Sequence, residues 1–92
     1  MQVVIYKSVL NEEKLTKYAA LAGPEVMAAG GRILARNMPV AVKEAGEATR
    51  TVVIESDSLQ VAEEGYASDG YQAALTALDG GAIREFRYIE AV

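Results

Sequence analysis

The positions of hydrophobic residues along the chain predict four β-strands and two helical regions. Runs that are rich in β-branched residues, or that alternate between apolar and polar residues, are typical of strands and occupy residues 3–9, 32–37, 50–55 and 84–90. Apolar residues at helical spacing fill the stretch after the first strand and the stretch after the third strand. The predicted order of elements is therefore β-α-β-β-α-β.

The first helical region has clear signals at both ends. Asn11 precedes Glu12 and Glu13, which predicts an N-cap followed by acids at the positive end of the helix dipole. Proline lacks the N–H of a helix interior, so Gly23-Pro24 predicts a kink or a division into two helical pieces. Gly30-Gly31 follows the helix and precedes a strand, which indicates a C-cap and not a phosphate-binding loop.

The second and third strands are predicted to form a hairpin. Simple alternation places Arg32, Leu34 and Arg36 on one face of the second strand. Met38-Pro39 ends or bulges that strand, and residues 40–42 are expected to continue it as an edge segment that tolerates proline. In this hairpin we expect Arg36 and Glu55 to lie on neighbouring strands, where they are able to pair.

The second helical region is predicted to contain two helical pieces. Asp57-Ser58 offers the first N-cap and Ser68 offers the second. The buried stripe of the second piece consists of Tyr71, Ala74, Leu75 and Leu78.

Right-handed crossovers in this order of elements place all helices on one face of a four-stranded antiparallel sheet. The fold class is therefore α+β with a ferredoxin-like β-α-β-β-α-β arrangement, in a single domain of residues 1–92. Val3 and Ile5 cannot share a face with Val4 and Tyr6, so apolar residues also point away from the helices. An exposed apolar face of this kind predicts a homodimer that packs sheet against sheet.

Composition excludes several classes of function. The chain of 92 residues has a formal net charge of -4, which does not fit a nucleic-acid partner. It contains no His, Cys or Trp, so the commonest general base, thiolate catalysis and cysteine zinc sites are absent. No metal ligand spacing and no cofactor motif is present. Without a signal peptide or an apolar run of membrane-spanning length, we expect a cytoplasmic protein without membrane contact.

The order of several short motifs resembles that of the family known as domain of unknown function 1330. The matching stretches are Tyr18, residues 30–36, residues 52–58 and residues 66–74. The resemblance implies a ferredoxin-like dimeric α+β barrel and a homodimer, with no established activity. Asp69 stands where the family usually has proline, and Asp79 replaces an arginine near the end of the last helix. If that arginine belongs to a family pocket, this chain has altered or lost the pocket.

The candidate ligand-binding residues are Arg36, Glu55, Arg32, Tyr6, Tyr18 and Tyr71. An arginine inside the fold would bind a ligand carboxylate, but a structural ion pair is the commoner arrangement. Tyr18 and Tyr71 lie on buried helical stripes, which favours a core role over a substrate role.

We therefore expect a non-catalytic binding or dimerisation module for an unknown small molecule. The alternative is a cofactor-independent enzyme, such as a monooxygenase, isomerase or lyase, that acts on a small organic acid or ring compound between sheet and helices. A cavity reached by Arg36, Glu55 and a tyrosine hydroxyl would favour the enzyme, and a filled interior would favour the module.

Overall fold

Four strands and three helices follow one another in the computed structural model, which describes residues 1–92. The elements are β1 Gln2–Val9, α1 Glu12–Ala28, β2 Arg32–Asn37, β3 Thr51–Glu55, α2 Leu59–Ala67, α3 Asp69–Leu78 and β4 Ala82–Tyr88. Ser68 separates α2 from α3, and its side chain accepts a hydrogen bond from the backbone N–H of Tyr71. The predicted order is confirmed, with the second helical region present as two helices.

The four strands form one antiparallel sheet in the order β2-β3-β1-β4. This is the ferredoxin-like arrangement that the element order predicts. The buried residues of the sheet all face α1 and α3, and together with residues of those helices they form one hydrophobic cluster: Val4, Tyr6, Leu15, Tyr18, Ala22, Val52, Ile54, Tyr71, Ala74 and Leu78.

The opposite face of the sheet has no covering layer. Val3, Ile5 and Val53 point to this face and are only half-buried. In the whole chain, 11 of 92 residues are buried, so the core between sheet and helices is small. The expectation of an uncovered, partly apolar sheet face is met.

The first helix runs without interruption from Glu12 to Ala28 with Pro24 inside it. Of the two expected outcomes, a kink or a division, the division into two pieces is therefore wrong. Leu15, Tyr18 and Ala22 are buried before the proline, and Val26 packs against the same core after it. Because tertiary packing of one helix face supplies most of the stability of a helix, this packing outweighs the hydrogen bond that proline cannot make.

The two glycines after α1 form the predicted C-cap. Gly30 has a φ of 86°, and its N–H donates to the carbonyl of Met27 at 3.0 Å. The Gly31 N–H donates to the carbonyl of Val26 at 2.9 Å. These two bonds make a Schellman motif, which satisfies carbonyls at the helix end and turns the chain into β2.

A β-bulge in β2 changes which side chains share a face. Ile33 pairs with Ile54 whereas Ala35 pairs with Val53, so Leu34 is an extra residue without an opposite partner. An extra residue reverses the alternation beyond it. The expectation that Arg32 and Arg36 share a face is therefore wrong.

The bulge sends the two arginines of β2 to opposite sides of the sheet. Arg32 pairs with Glu55 on the uncovered face. Arg36 pairs with Val52, which is buried against the helices. Arg36 consequently lies on the helix-facing side of the sheet, on its edge strand, where its side chain is exposed.

Residues 38–50, between β2 and β3, contain no strand. The predicted edge segment at residues 40–42 is wrong, and Val40 is fully exposed. Pro39 provides no backbone N–H for pairing, so β2 ends at Asn37.

Gly31 offers a test of the close packing between the end of α1 and the sheet. A Cβ at this position would lie 2.7 Å from Val26 Cγ1 and 2.9 Å from the Val26 carbonyl oxygen. We expect Gly31→Ala to lower the free energy of unfolding by about 1 to 3 kcal/mol in urea denaturation, because the backbone has to move. Gly30→Asn is the control, because nothing lies within 4 Å there and asparagine tolerates positive φ. Equal losses in both variants would contradict this account.

Candidate functional site

Strand register places two arginines on either side of Tyr6 on the helix-facing side of the sheet. The Tyr6 N–H donates to the carbonyl of Arg50 at 2.9 Å, next to the start of β3. On the other side, Tyr6 pairs with Arg84 of β4. The three residues form a row across neighbouring strands, because residues opposite each other in an antiparallel ladder share a face.

Arg36 lies in the next row of the same face. That row runs from Arg36 through Val52 and Val4 to Phe86. Arg36 is therefore one strand and one row away from Arg50. The three arginines therefore come from three neighbouring parts of the sheet and lie in two adjacent rows of its helix-facing side.

This space is a small cleft of about 50 Å³ that is partly open to solvent. It is lined by these three arginines, by the tyrosines Tyr6, Tyr18 and Tyr71, and by mostly apolar residues of the sheet and α1. No Asp or Glu lines it. The cleft combines positive charge with aromatic and aliphatic walls.

Arg84 is held in place by aromatic groups. Its Nη1 donates a hydrogen bond to the Tyr18 hydroxyl at 2.9 Å. Its guanidinium carbon lies 4.7 Å from the centre of the Tyr18 ring and 4.8 Å from that of Phe86, within cation–π range. Burial lowers the pKa of Arg84. The neighbouring tyrosines Tyr18, Tyr71 and Tyr6 together raise this pKa by more than burial lowers it, so it lies above its ordinary value.

Tyr18 and Tyr71 join α1 to α3 through their hydroxyl groups. The two oxygens are 2.6 Å apart, and both residues belong to the buried core, as the helical stripes predicted. Burial, followed by the effect of Tyr18, raises the pKa of the Tyr71 hydroxyl, while Arg84 lowers it by less. The Tyr71 hydroxyl therefore stays protonated at neutral pH, and either of the two hydroxyls is able to donate in this contact.

Arg50 and Arg36 have no anionic partner in the chain. The Arg50 guanidinium carbon lies 5.5 Å from the centre of the Tyr6 ring, and its buried Nε makes no hydrogen bond. Arg36 lies beside Gly23, where a Cβ would be 3.9 Å from Nη1, so α1 leaves room for the guanidinium.

Most of the other basic residues of the chain form ion pairs. Five of the nine basic residues pair with carboxylates, and these are Lys7, Lys14, Lys17, Arg32 and Arg87. Of the four that remain, Arg36, Arg50 and Arg84 line the cleft, and Lys43 lies in the exposed segment 38–50. The unpaired positive charge of the protein is thus concentrated in one place.

The structure does not bring two of the candidate residues into the cleft. Arg32 and Glu55 lie on the uncovered face of the sheet, where Arg32 Nε donates to Glu55 Oε1 at 2.9 Å. Arg32 also contacts Asp57 at 3.2 Å, and the hydrogen bond that Arg32 donates to Glu55 raises the pKa of Arg32. Glu55 therefore pairs with Arg32, not with Arg36 as the alternation suggested.

The cleft also contains three residues that were not among the candidates, Arg50, Arg84 and Phe86. A usable signal was present in β4, where Arg84, Phe86 and Tyr88 occupy alternate positions. An arginine that shares a strand face with two aromatic residues points towards the interior with them. Arg50 alternates in the same way with Val52 and Ile54 in the predicted strand 50–55, which was a second usable signal.

No group of acidic residues in residues 1–92 is arranged to hold a metal ion. No helix of the chain has both the length and the apolar composition that a membrane crossing requires.

Comparison with known proteins gives a family. Residues 3–92 match the domain of unknown function DUF1330. The chain belongs to the DUF1330 family. No protein with curated annotation matches the sequence.

Solved structures share the fold of this DUF1330 protein at low sequence identity. Two are crystal structures of one protein of unknown function from Rhodopseudomonas palustris. The methylated form has a TM-score of 0.76 and 11% identity, with 99% of this chain and 78% of the other covered. The other structure has a TM-score of 0.70 and 14% identity, with 96% and 76% covered. A protein from Caulobacter crescentus CB15, proposed to be an antibiotic biosynthesis monooxygenase, has a TM-score of 0.64 and 17% identity, with 99% and 87% covered.

Asp79 stands where the family usually has an arginine, and it does not line the cleft. Its carboxylate lies 2.8 Å from Lys14 Nζ and is exposed. The hydrogen bond from Lys14 lowers the pKa of Asp79. The arginines of the cleft are unaffected by this departure.

The shared hydroxyl contact predicts unequal effects of two similar substitutions. Tyr18→Phe leaves the buried Tyr71 hydroxyl and the Arg84 guanidinium without their partner, so we expect a loss of about 1 to 3 kcal/mol in the free energy of unfolding. Tyr71→Phe leaves Tyr18 bonded to Arg84 and is expected to cost about 0.5 to 1.5 kcal/mol. Urea denaturation of both variants measures the difference, and a larger loss in Tyr71→Phe would contradict the described network.

Proposed function

We propose that this DUF1330 protein binds a small organic acid in the cleft between the sheet and the helices. The observation that carries the proposal is the distribution of charge. A chain with net charge -4 keeps three arginines without carboxylate partners, and all three line one cleft that contains no acid.

Arginine suits this ligand because its planar guanidinium binds a carboxylate through two parallel hydrogen bonds. Arg50 and Arg84 are half-buried, whereas Arg36 is exposed. A half-buried guanidinium without a counter-charge is unfavourable, so an anion that enters the cleft would relieve this cost. The aliphatic and aromatic walls supplied by Val52, Val4 and Phe86 would contact the apolar body of the acid. The ligand we propose is therefore a carboxylate attached to an apolar or aromatic body.

Non-catalytic binding is our first candidate, because the cleft contains no His, Cys, Asp or Glu that would act as a general base. The second candidate is a cofactor-independent enzyme that acts on the same class of acid. The observation in its favour is the hydrogen-bonded series Arg84, Tyr18 and Tyr71, which offers a hydroxyl donor beside the arginines. Turnover of a bound acid that disappears in Tyr18→Phe would decide for the enzyme. The Caulobacter crescentus structure supports this candidate only through the monooxygenase activity that is proposed for that protein.

We also propose that the protein is a homodimer in which the uncovered sheet faces pack together. The single chain is a slab with extents of 36 × 36 × 15 Å, and Val3, Ile5 and Val53 lie half-buried on its uncovered side. Covering these residues with a second copy would remove apolar surface from water. The cleft lies on the other side of the sheet and would stay free for a ligand in such a dimer.

Arg36→Met tests the binding proposal. We expect it to weaken the binding of benzoate, measured by isothermal titration calorimetry, by about tenfold or more, because a charged hydrogen bond to a carboxylate is worth about 1.5 to 3 kcal/mol. Lys17→Met is the control, since it removes the same charge from an exposed position on α1. Equal effects of the two substitutions, or no binding of benzoate to the unaltered protein, would contradict the proposal.

Ile5→Asp tests the dimer. A carboxylate on the uncovered face would have to be buried without a partner, so we expect the variant to be a monomer in light scattering at a concentration where the unaltered protein is a dimer. Leu21→Asp, on the exposed side of α1, serves as the control and should remain a dimer. A monomeric unaltered protein at micromolar concentration would refute the dimer.

A further inference from the structure

The amount of positive charge in the cleft exceeds what one carboxylate balances. Arg36, Arg50 and Arg84 each carry a full charge at any physiological pH. Their side chains make no ion pair, and only Arg84 makes a side-chain hydrogen bond within the chain. A ligand with a single carboxylate would leave two guanidinium groups without a counter-charge in a partly buried site.

The arginines are divided between the two sides of Tyr6. Arg84 lies on the β4 side, where the rings of Tyr18 and Phe86 hold it. Arg50 lies on the β3 side, in contact with the Tyr6 ring. Their backbones are separated by two strand spacings, or about 10 Å. The row thus offers two positions for an anion instead of one.

Arg36 adds a second guanidinium group to the anion position on the β3 side. It extends from β2, the strand next to β3, one row from Arg50, and lines the same cleft. The buried Nε of Arg50 is an unused donor at this position. On the opposite side, the Tyr18 hydroxyl fixes Arg84 through one nitrogen and leaves its other N–H groups for a ligand.

Both guanidinium groups approach the same aromatic ring. The Arg84 guanidinium carbon lies 5.6 Å and the Arg50 guanidinium carbon 5.5 Å from the centre of the Tyr6 ring. Because both distances are measured to one ring centre, the two groups lie close enough for a short spacer to join the carboxylates that bind them.

We infer that the ligand is a dicarboxylate whose two acid groups are joined by a short spacer. One carboxylate binds Arg84, and the other binds Arg36 and Arg50. This inference rests on the proposed function and names the class of acid that the cleft takes.

The test compares each dicarboxylate with its own half-ester, which has almost the same shape but one charge fewer. The probes are terephthalate against monomethyl terephthalate and fumarate against monomethyl fumarate, with benzoate as the general probe for a carboxylate. Isothermal titration calorimetry with the full chain measures the dissociation constants. We expect the dicarboxylate to bind at least tenfold more tightly than its half-ester in at least one pair.

The same comparison in Arg84→Met assigns the second position. The preference for the dicarboxylate should fall to less than threefold there, while the half-ester keeps its affinity within about threefold. Circular dichroism confirms that the variant is folded, and the comparison in the unaltered protein stands even if this variant does not fold.

The possible failures are separable. Binding of benzoate or the half-esters without any preference for a dicarboxylate would overturn the inference and leave the proposed function intact. Absence of binding by every probe would overturn both. An unchanged preference in folded Arg84→Met would overturn the assignment of the second carboxylate to Arg84.

Discussion

The hydrogen bond between the hydroxyls of Tyr18 and Tyr71 is the contact on which the arrangement of the helical layer depends. It joins α1 to α3, and the hydrogen bond from Arg84 extends it to β4. Only 11 of 92 residues are buried, so a polar network inside this core has few apolar neighbours to compensate for its loss. Buried networks that are fully satisfied make a core more rigid and more specific. Here the network also fixes the guanidinium that forms one end of the cleft.

The rest of the cleft follows from how the chain distributes its charges. Three of the four lysines, together with Arg32 and Arg87, pair with carboxylates on exposed surfaces, where such pairs contribute little to stability. The three remaining arginines share a space without acids, in which the effective dielectric constant is lower than in water. An overall negative protein therefore presents a local positive site, which is the condition for binding an anion despite the net charge of -4.

Much of the fold could be predicted from periodicity. The strands, both helical regions, the Asn11 cap and the Gly30-Gly31 turn rest on local chemistry that the sequence displays directly. The position of Pro24 inside one continuous helix could not be predicted, because packing on both sides of it decides the outcome.

The site was harder to predict than the fold. The bulge at Leu34 reverses the faces of Arg32 and Arg36, and no residue in β2 marks it. Tyr6, Tyr18, Tyr71 and Arg36 line the cleft, whereas Glu55 and Arg32 pair on the uncovered face. Alternation within single strands indicates the faces of Arg50 and Arg84, but the register that brings both beside Tyr6 is a long-range property that local patterns do not contain.

The most direct test of the central claim is a proton–nitrogen NMR titration of the arginine side chains with benzoate. The five arginines of the chain give the experiment its own reference, since three line the cleft and two pair with carboxylates on the other face. We expect the side-chain signals of Arg36, Arg50 and Arg84 to shift with a common saturation curve, while those of Arg32 and Arg87 stay unchanged. Uniform small shifts of all five signals, or shifts confined to Arg32 and Arg87, would contradict an anion site in the cleft.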